Sequence, residues 1–353
     1  MSASSGTTGA MADSATPLVA GCWYVICTTT ELDAQKMLSR WILDQNIVVR
    51  RTENGTPVAM DNRCPHRSFP LSKGFQSGDE IVCGYHGMSF DSEGQCTRLP
   101  AGAEIRGKIA LRTYPLIERA PLIWIWMGAP SKADPSLLPD YPSLTEASWI
   151  AINGYYHVAA NYVGLHENLQ DLSHFEYLHS SSIGVPDRTP SSFDARLEDG
   201  KVRCARLYAN VQPPPLYQTL LDLGPRIDRK IRVEFTSPAL THGDMTIRNH
   251  NEKPNEEEQE YHTRILHFLT PESQNSTHYW WYFIRDFALD NGEIGDLLKR
   301  GIQAAFAEDQ MALESISELT RRDPRTTFRE LSFATDQPGI LMRRTIAAAA
   351  GLE

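Results

Sequence analysis

Short runs of β-branched and aromatic residues, separated by turn residues, fill the chain from Leu18 to about Gly128. Asn54-Gly55 and Glu93-Gly94 are dipeptides typical of hairpin turns. The pattern therefore predicts a small all-β domain over residues 18–130. The runs that carry this prediction are Cys22–Cys27, Trp41–Leu43, Asn46–Arg50, Thr56–Met60 and Leu122–Trp126.

A proline-rich stretch, residues 129–144, follows and is typical of a linker. Beyond it the periodicity becomes mixed, with helical segments at both ends and strand-like runs between them as far as Arg285. The sequence therefore predicts an α+β second domain over residues 131–353. The helical patterns cover Asn161–Leu178, Ile294–Leu319 and Ile340–Leu352.

The composition is that of an ordinary globular protein and excludes several classes. The 34 basic and 44 acidic residues give a net charge of −10, which argues against nucleic-acid binding. No apolar run approaches the ~20 residues of a membrane helix, and no secretory signal precedes the first domain. Six cysteines are too few for a disulfide scaffold, so we expect a cytoplasmic protein. Residues 1–17 are predicted to be a disordered tail, with Met11 a second candidate for the natural start.

Two Cys/His pairs lie close together in the first domain. Cys64-Pro-His66 is followed by Cys83-Gly-Tyr-His86, a combination expected by chance in on the order of one chain in a thousand. Thiolates and imidazoles suit either a structural zinc or an iron–sulfur centre. One Cys and one His on each loop favour a Rieske cluster, in which one iron takes the thiolates and the other the imidazoles. Zinc fingers usually pair like ligands instead.

A second group of candidate ligands lies in the first helical pattern of the second domain. On an ideal helix Asp171 and His174 are about 60° apart, but His179 is about 140° from His174, so the helix must end or bulge between them. Further along, Asp309 lies within about 20° of the apolar stripe of the long helix, whereas Glu308 lies off it. An acid on a buried stripe is costly unless it is paired or bound to a metal.

The first pair of motifs, C-P-H-R-S and C-G-Y-H-G, resembles the low-potential Rieske domain of oxygenases. That resemblance implies a [2Fe-2S] cluster held by Cys64, His66, Cys83 and His86. Gly84 stands where the family usually has Pro, and Met88 where it usually has Trp.

The run N-x-x-D-x-x-H-x₄-H, from Asn168 to His179, resembles the mononuclear iron motif of Rieske non-haem iron oxygenases. The resemblance extends from Leu18 over nearly the whole chain and is to the vanillate O-demethylase and dicamba monooxygenase class. It implies a helix-grip, START-like catalytic domain with an antiparallel sheet, and Fe(II) held by His174, His179 and Asp309 with positions open for O₂. It also implies catalytic roles for Asn168 and Asp171.

The same resemblance implies the activity and the assembly. We expect a terminal oxygenase that hydroxylates or O-demethylates a small aromatic substrate, such as a methoxylated aromatic acid, with electrons from a separate NAD(P)H-dependent reductase of the flavin or ferredoxin type. A homotrimer is expected, in which Asp171 bridges its own His174 and His86 of a neighbouring subunit. The alternatives are an N-demethylase, a ring hydroxylase, or a Rieske electron-transfer protein fused to a ligand-binding module. Four residues could line a pocket or belong to the core: His267, Trp280, Trp281 and Tyr282.

Overall fold

The computed structural model describes residues 18–104, 107–185, 192–250, 259–323 and 330–351. The tail predicted over residues 1–17 lies outside them. The described residues form two compact units, one comprising Leu18–Leu138 with Thr270–Ser273 and the other the remainder from Pro139 onward. Residues 131–138 therefore pack with the first unit, whereas the sequence predicts a domain boundary after residue 130. Within the described ranges, no helix is long and apolar enough to cross a membrane.

The first unit is almost entirely β-structure, as the alternating runs predict. Its strands are β1 Trp23–Thr28, β2 Met37–Ile42, β3 Gln45–Arg51, β4 Pro57–Asp61, β5 Phe75–Ser77, β6 Glu80–Val82, β7 Ser89–Phe90, β8 Cys96–Arg98, β9 Thr113–Tyr114, β10 Leu116–Arg119 and β11 Leu122–Trp126. They form three sheets with the orders β1-β11-β10, β2-β3-β4-β9 and β5-β6-β7-β8. The short α-helix α1, Thr29–Gln35, and single 3-10 turns are additions to the prediction.

The second unit is built on one seven-stranded sheet flanked by helices. Its elements are β12 Ile150–Val158, α2 Tyr162–Gln170, β13 Ser192–Glu198, β14 Lys201–Val211, α3 Pro215–Leu220, β15 Ile227–Ser237, β16 Leu240–Asn249, β17 Glu260–Ser273, β18 Ser276–Arg285, α4 Gly292–Arg322 and α5 Gln337–Ala349. The strand order is β12-β18-β17-β16-β15-β14-β13. Strand β12 pairs antiparallel with β18, and β13 to β17 pair antiparallel in succession.

The long helix α4 packs on the sheet through the apolar stripe read from the sequence. Leu298, Ile302 and Phe306 are buried in one cluster with Trp281 and Phe283 of β18. Burial of side chains of this size contributes about 2 kcal/mol each, which holds the helix in a single rotational setting. The α+β class and the antiparallel sheet predicted for this part of the chain are confirmed.

The helix predicted over Asn161–Leu178 is shorter than its pattern suggests. Asn161 caps α2 by accepting a hydrogen bond from the Val163 amide, and the helix ends at Gln170. Asp171 then takes an extended conformation, and its Oδ1 accepts the Ser173 amide 2.8 Å away. The prediction of a break was therefore correct, but its place was wrong: the helix ends before Asp171 and His174 rather than between His174 and His179. An Asp that accepts from the backbone two residues on makes an Asx turn, which competes with the helix.

The proline-rich stretch contains three single turns of 3-10 helix. They are Pro130–Lys132, Pro135–Leu137 and Pro142–Leu144, each with proline at its first position. Proline fixes φ near −65°, which suits the first residue of such a turn and prevents a longer helix from forming through it.

Candidate functional site

The two Cys/His motifs of the first unit form a matched pair of tight loops. In the first, the Ser68 amide donates to the Cys64 carbonyl at 2.8 Å, and the Cys64 amide donates to the carbonyl five residues on at 2.9 Å. In the second, the Gly87 amide donates to the Cys83 carbonyl at 3.0 Å, and the Cys83 amide again reaches the carbonyl five residues on, at 2.8 Å. Ser68 and Gly87 hold the corresponding position with positive φ, 57° and 75°. Local hydrogen bonds thus give both loops one shape.

These loops divide the four candidate ligands into two chemical pairs. Cys64 and Cys83 are buried, whereas His66 and His86 are exposed, with ring centroids 4.4 Å apart. Among the described residues, no three of these four bring their ligand atoms within 4.8 Å of one another, as one zinc ion would require. Burial raises the pKa of the Cys64 thiol, so a thiolate here needs a bound cation. The arrangement fits a two-iron cluster with buried sulfur ligands and outer imidazoles.

The two departures from the usual Rieske motif have visible structural reasons. Met88 is buried and places its Sδ 3.9 Å from the Cys64 Sγ, so it fills the space behind the loops. Gly84 lies against Gly74, and a Cβ at Gly84 would meet the Lys73 carbonyl oxygen at 3.0 Å. A larger residue at position 84 would therefore need the neighbouring backbone to shift by a few tenths of an ångström.

Three ligand atoms converge in the second unit. His174 Nε2 lies 3.2 Å from His179 Nε2 and 3.4 Å from Asp309 Oδ1, and His179 Nε2 lies 3.1 Å from the same oxygen. Neighbouring ligands of an octahedral ion at about 2.1 Å are about 3 Å apart, so the triangle has the dimensions of one face of such a site. Two imidazoles and one carboxylate are the donor set of a non-haem Fe(II) facial triad.

The electrostatics of this triangle show how strongly its members interact. Burial opposes ionisation of Asp309, but His174 and His179 outweigh it and hold the pKa of that carboxyl well below its usual range. Burial also opposes the charge on His174, yet the Asp171 and Asp309 carboxylates raise its pKa to about 9. A proton on His174 thus occupies the position that a metal cation would take.

Two further side chains hold the triad in place. The Asn168 amide nitrogen, in the last turn of α2, donates to Asp309 Oδ1 at 3.0 Å. Glu308 Oε2 lies 2.7 Å from His179 Nδ1. Since a carboxylate at Nδ1 retains the proton there, the lone pair of His179 Nε2 is directed at the triangle. The sequence placed Glu308 off the apolar stripe, which is correct, but gave it no role. The sequence did contain a signal for this role. Glu308 and Asp309 are adjacent and so differ by 100° around the helix, which lets them reach two sides of one imidazole ring.

Asp171 lies on the other side of His174. Its Oδ2 is 3.7 Å from His174 Nδ1, while Oδ1 accepts from the Ser173 amide. The side chain is 29% exposed. The structure thus brings Asn168, Asp171, His174, His179 and Asp309 into one cluster.

A cavity adjoins the triad. Its wall combines side chains from the sheet with the faces of α2 and α4 and is largely apolar, as is common for small-molecule sites. His267 belongs to it, and because burial lowers its pKa to about 3 this imidazole is neutral. Trp281 instead belongs to the packed core beneath α4. Sequence reasoning missed Arg229, a buried residue of β15 in the cavity wall.

Comparison with known proteins identifies two domain families in this chain. The sequence model described as Rieske [2Fe-2S] domain matches residues 22–115, and the model described as vanillate O-demethylase oxygenase C-terminal domain matches residues 158–351. The vanillate O-demethylase oxygenase subunit of Pseudomonas sp. (strain HR199 / DSM 7063) is 32% identical, over 92% of each chain. The iron-sulfur subunit TsaM1 of the toluene-4-sulfonate monooxygenase system of Comamonas testosteroni is 32% identical, over 87% of this chain and 90% of its own. The crystal structure of dicamba monooxygenase with non-heme iron and dicamba has a TM-score of 0.78 at 29% identity, over 95% of this chain and 98% of that one.

The resemblance inferred from the motifs is thereby confirmed, and the rival interpretations, a zinc-binding module and an electron-transfer protein, are excluded. The family's cofactors are the Rieske [2Fe-2S] cluster and a mononuclear iron, its co-substrate is O₂, and its oxygenase components belong to systems with a separate reductase. This chain belongs to the Rieske non-haem iron oxygenases, as an oxygenase component of the group that contains vanillate O-demethylase.

Proposed function

We propose that this protein O-demethylates a small methoxylated aromatic acid. Cys64, His66, Cys83 and His86 would hold the cluster, and His174, His179 and Asp309 the mononuclear iron. The cluster supplies single electrons and the iron activates O₂ when both are bound. The observation that carries the proposal is the largely apolar cavity directly beside the triad, whose wall is of the kind that binds an aromatic ring.

The protein's own side chains prepare the site for this chemistry. Glu308 fixes the tautomer and ring orientation of His179, and the Asn168 amide holds the Asp309 carboxylate. The neutral His267 forms a hydrogen bond of 2.6 Å with the Tyr279 hydroxyl, so it adds no charge to the cavity. The apolar wall restricts water around the substrate methoxy group, which favours reaction with the substrate over wasted reduction of O₂.

The balanced reaction fixes what must enter and leave. One oxygen atom of O₂ enters the methoxy C–H bond, and the other leaves as water after taking up two electrons and two protons. The hemiacetal so formed breaks its carbon–oxygen bond to give a phenol and formaldehyde. The electrons originate in NAD(P)H and pass through the separate reductase, so the protein needs an interaction surface for that partner.

We also propose a homotrimer in which the cluster of one subunit serves the iron of its neighbour. The exposed imidazole of His86 and the partly exposed side chain of Asp171 support this assignment. Asp171 would accept a hydrogen bond from the neighbour's imidazole while its own His174 lies on the other side. Such a head-to-tail contact is a heterologous interface that closes by rotation.

A cytoplasmic location fits both the supply of NAD(P)H and the chemistry of the cysteines. None of the six cysteines forms a disulfide, which is the usual state in a reducing compartment.

Two relatives support an aromatic anion as the substrate, since the compounds in their names, vanillate and toluene-4-sulfonate, are both of this kind. The deciding experiment supplies the purified protein with a surrogate reductase and NADH, and offers 3- and 4-methoxybenzoate beside N-methylated benzoates. We expect formaldehyde and a hydroxybenzoate in equal amounts from a methoxybenzoate. Formaldehyde from the N-methyl compounds alone would make the protein an N-demethylase, and a hydroxylated ring without formaldehyde a ring hydroxylase.

A further inference from the structure

Arg229 occupies a position where the strand pattern calls for an apolar residue. In β15 the side chains of Ile227, Ile231 and Val233 point to the buried face, and Arg229 alternates in phase with them. It is 2% exposed and lies in the wall of the cavity beside the triad. Since burying a guanidinium is costly, its retention at this position needs an explanation.

No acidic side chain in the described part of the chain forms an ion pair with Arg229. Its Nη1 donates to the Ile183 carbonyl at 2.6 Å, and its Nε lies 3.1 Å from the Met245 Sδ. Its other close neighbours are the rings of Phe175 and Tyr217, whose centroids lie 5.9 and 5.6 Å from Cζ. A carbonyl, a thioether and two aromatic faces leave the positive charge without a counter-ion.

The other titratable groups around the cavity do not supply that counter-ion. Asp309 is committed to His174 and His179. Asp244 pairs with His242 at 3.0 Å and with Arg264 at 3.3 Å. His267 and Tyr217 are uncharged at neutral pH, because burial lowers the pKa of the imidazole to about 3 and raises that of the phenol to about 12. The cavity wall therefore carries one uncompensated positive charge.

A second observation relates Arg229 to the triad. The Phe175 ring is close to both, because its centroid lies 5.9 Å from Arg229 Cζ, 5.0 Å from the ring centroid of His174 and 5.5 Å from that of His179. Arg229 and the triad also line the same cavity. One substrate molecule in this cavity would therefore have both the guanidinium and the reacting centre as neighbours.

We propose that Arg229 binds the anionic group of the substrate, a carboxylate or sulfonate, and thereby orients the opposite end of the aromatic ring toward the triad. This inference rests on the proposed function for the identity of the reacting group. The guanidinium offers its remaining N–H groups in a planar fork that matches the two oxygens of a carboxylate. Selectivity follows because a neutral isostere would leave the buried charge unpaired.

The test compares the binding of charged and neutral probes to the purified holoenzyme by calorimetry. The probes are 3- and 4-methoxybenzoate and the corresponding methoxybenzamides, which have the same shape without the charge. For the wild type we expect at least tenfold tighter binding of the better benzoate than of its amide. Arg229→Met should remove most of that preference while changing amide binding less than threefold, and Arg229→Lys should keep an intermediate preference. The control is Arg232→Met, an exposed arginine on the other face of the same strand, which should behave as the wild type.

Two outcomes would overturn the assignment. One is a wild type that binds the benzoates no better than the amides. The other is an equal loss of both probes in a folded Arg229→Met or Arg229→Lys protein, which would mean that Arg229 only supports the Ile183 segment. Because binding is measured without turnover, the two proposals fail separately. Charge-selective binding without formaldehyde would contradict the O-demethylase assignment alone, whereas formaldehyde release without charge selectivity would contradict the role of Arg229 alone.

Discussion

The two candidate metal centres of this chain are built in opposite ways. The cluster site consists of two short loops that repeat the same backbone hydrogen bonds around Cys64 and Cys83. The triad instead joins His174 and His179, on an irregular segment after α2, to Asp309 on α4, 130 residues further along the chain than His179. The first depends on local backbone geometry and the second on tertiary packing. They should therefore fail independently.

The largest effect is expected for Asp309→Ala. Removal of the only carboxylate in the triangle should abolish mononuclear iron binding and turnover, whereas the cluster should keep its absorption and accept electrons. Iron content and EPR of the reduced protein measure both. Asp296→Ala, which removes an exposed acid from the same helix, is the control. Full turnover in Asp309→Ala would move the carboxylate ligand elsewhere, with Glu308 as the first candidate.

Cys64→Ala should give the reciprocal result. The visible absorption and Rieske EPR signal should disappear because one sulfur ligand is lost, while the triad still binds one Fe(II) per chain. Cys96→Ala, at a partly buried cysteine outside the loops, should leave the cluster intact. A full cluster signal in Cys64→Ala would show that the ligand assignment is wrong.

Asp171→Asn examines the proposed link between the two kinds of centre. Asn can still accept the Ser173 amide through its Oδ1 and keep the turn, whereas the oxygen that faces His174 Nδ1 is replaced by an amide nitrogen, which carries no charge and cannot accept a hydrogen bond. Both iron sites should remain, but electron transfer between them should slow by about 100-fold because the charge-assisted hydrogen bonds are lost. Rapid-reaction measurement of cluster reoxidation checks this. Reoxidation at the wild-type rate, or a monomer with normal turnover, would contradict both the bridge and the trimer.

Glu308→Gln should have a smaller effect. The amide can no longer hold the His179 ring as a carboxylate does, and iron affinity should fall by about 10-fold to 100-fold with the cluster unchanged. Competition with an iron chelator measures the change. Glu314→Gln on the same helix is the comparison, since that acid accepts the Ala159 amide and touches no imidazole of the triad. Equal iron loss in the two variants would mean that the helix, rather than the Glu308 contact, is responsible.

The last prediction concerns pH and is confined to the triad. In the metal-free protein Asp171 and Asp309 outweigh burial and raise the pKa of His174 from 6.5 to about 9. The protonated imidazole therefore stabilises the metal-free fold fully below pH 6.5, and this contribution is lost as the pH rises through 9. Iron must displace the same proton, so iron affinity should rise by up to tenfold per unit over that range. Thermal unfolding and iron titrations between pH 6 and 9 test both trends, and a flat iron affinity would contradict them.

The contrast between the centres also explains what the sequence could predict. The cluster motifs were readable because each Cys/His pair lies within four residues and its loop is closed by its own backbone. The Asp309 position was readable because the apolar stripe of α4 gives its rotation. The end of α2 at Gln170 could not be predicted from the periodicity. It depends on the turn in which the Asp171 side chain accepts the Ser173 amide, and this turn competes with the helix. The contact between Glu308 and His179 and the unpaired charge of Arg229 arise only when distant segments pack together.

The apolar stripe of α4 determines where the two acids of that helix lie in the site. Leu298, Ile302 and Phe306 fix its rotation on the sheet, and Glu308 and Asp309 then reach two different atoms of one imidazole. Inserting one residue between Phe306 and Glu308 would turn both acids by about 100° and advance them by about 1.5 Å. A change that leaves composition and net charge almost untouched would thus be as severe as deleting the ligand. The number of residues between the apolar stripe and the two acids must therefore stay fixed, whereas the side chains on the outer face of α4 are free to vary.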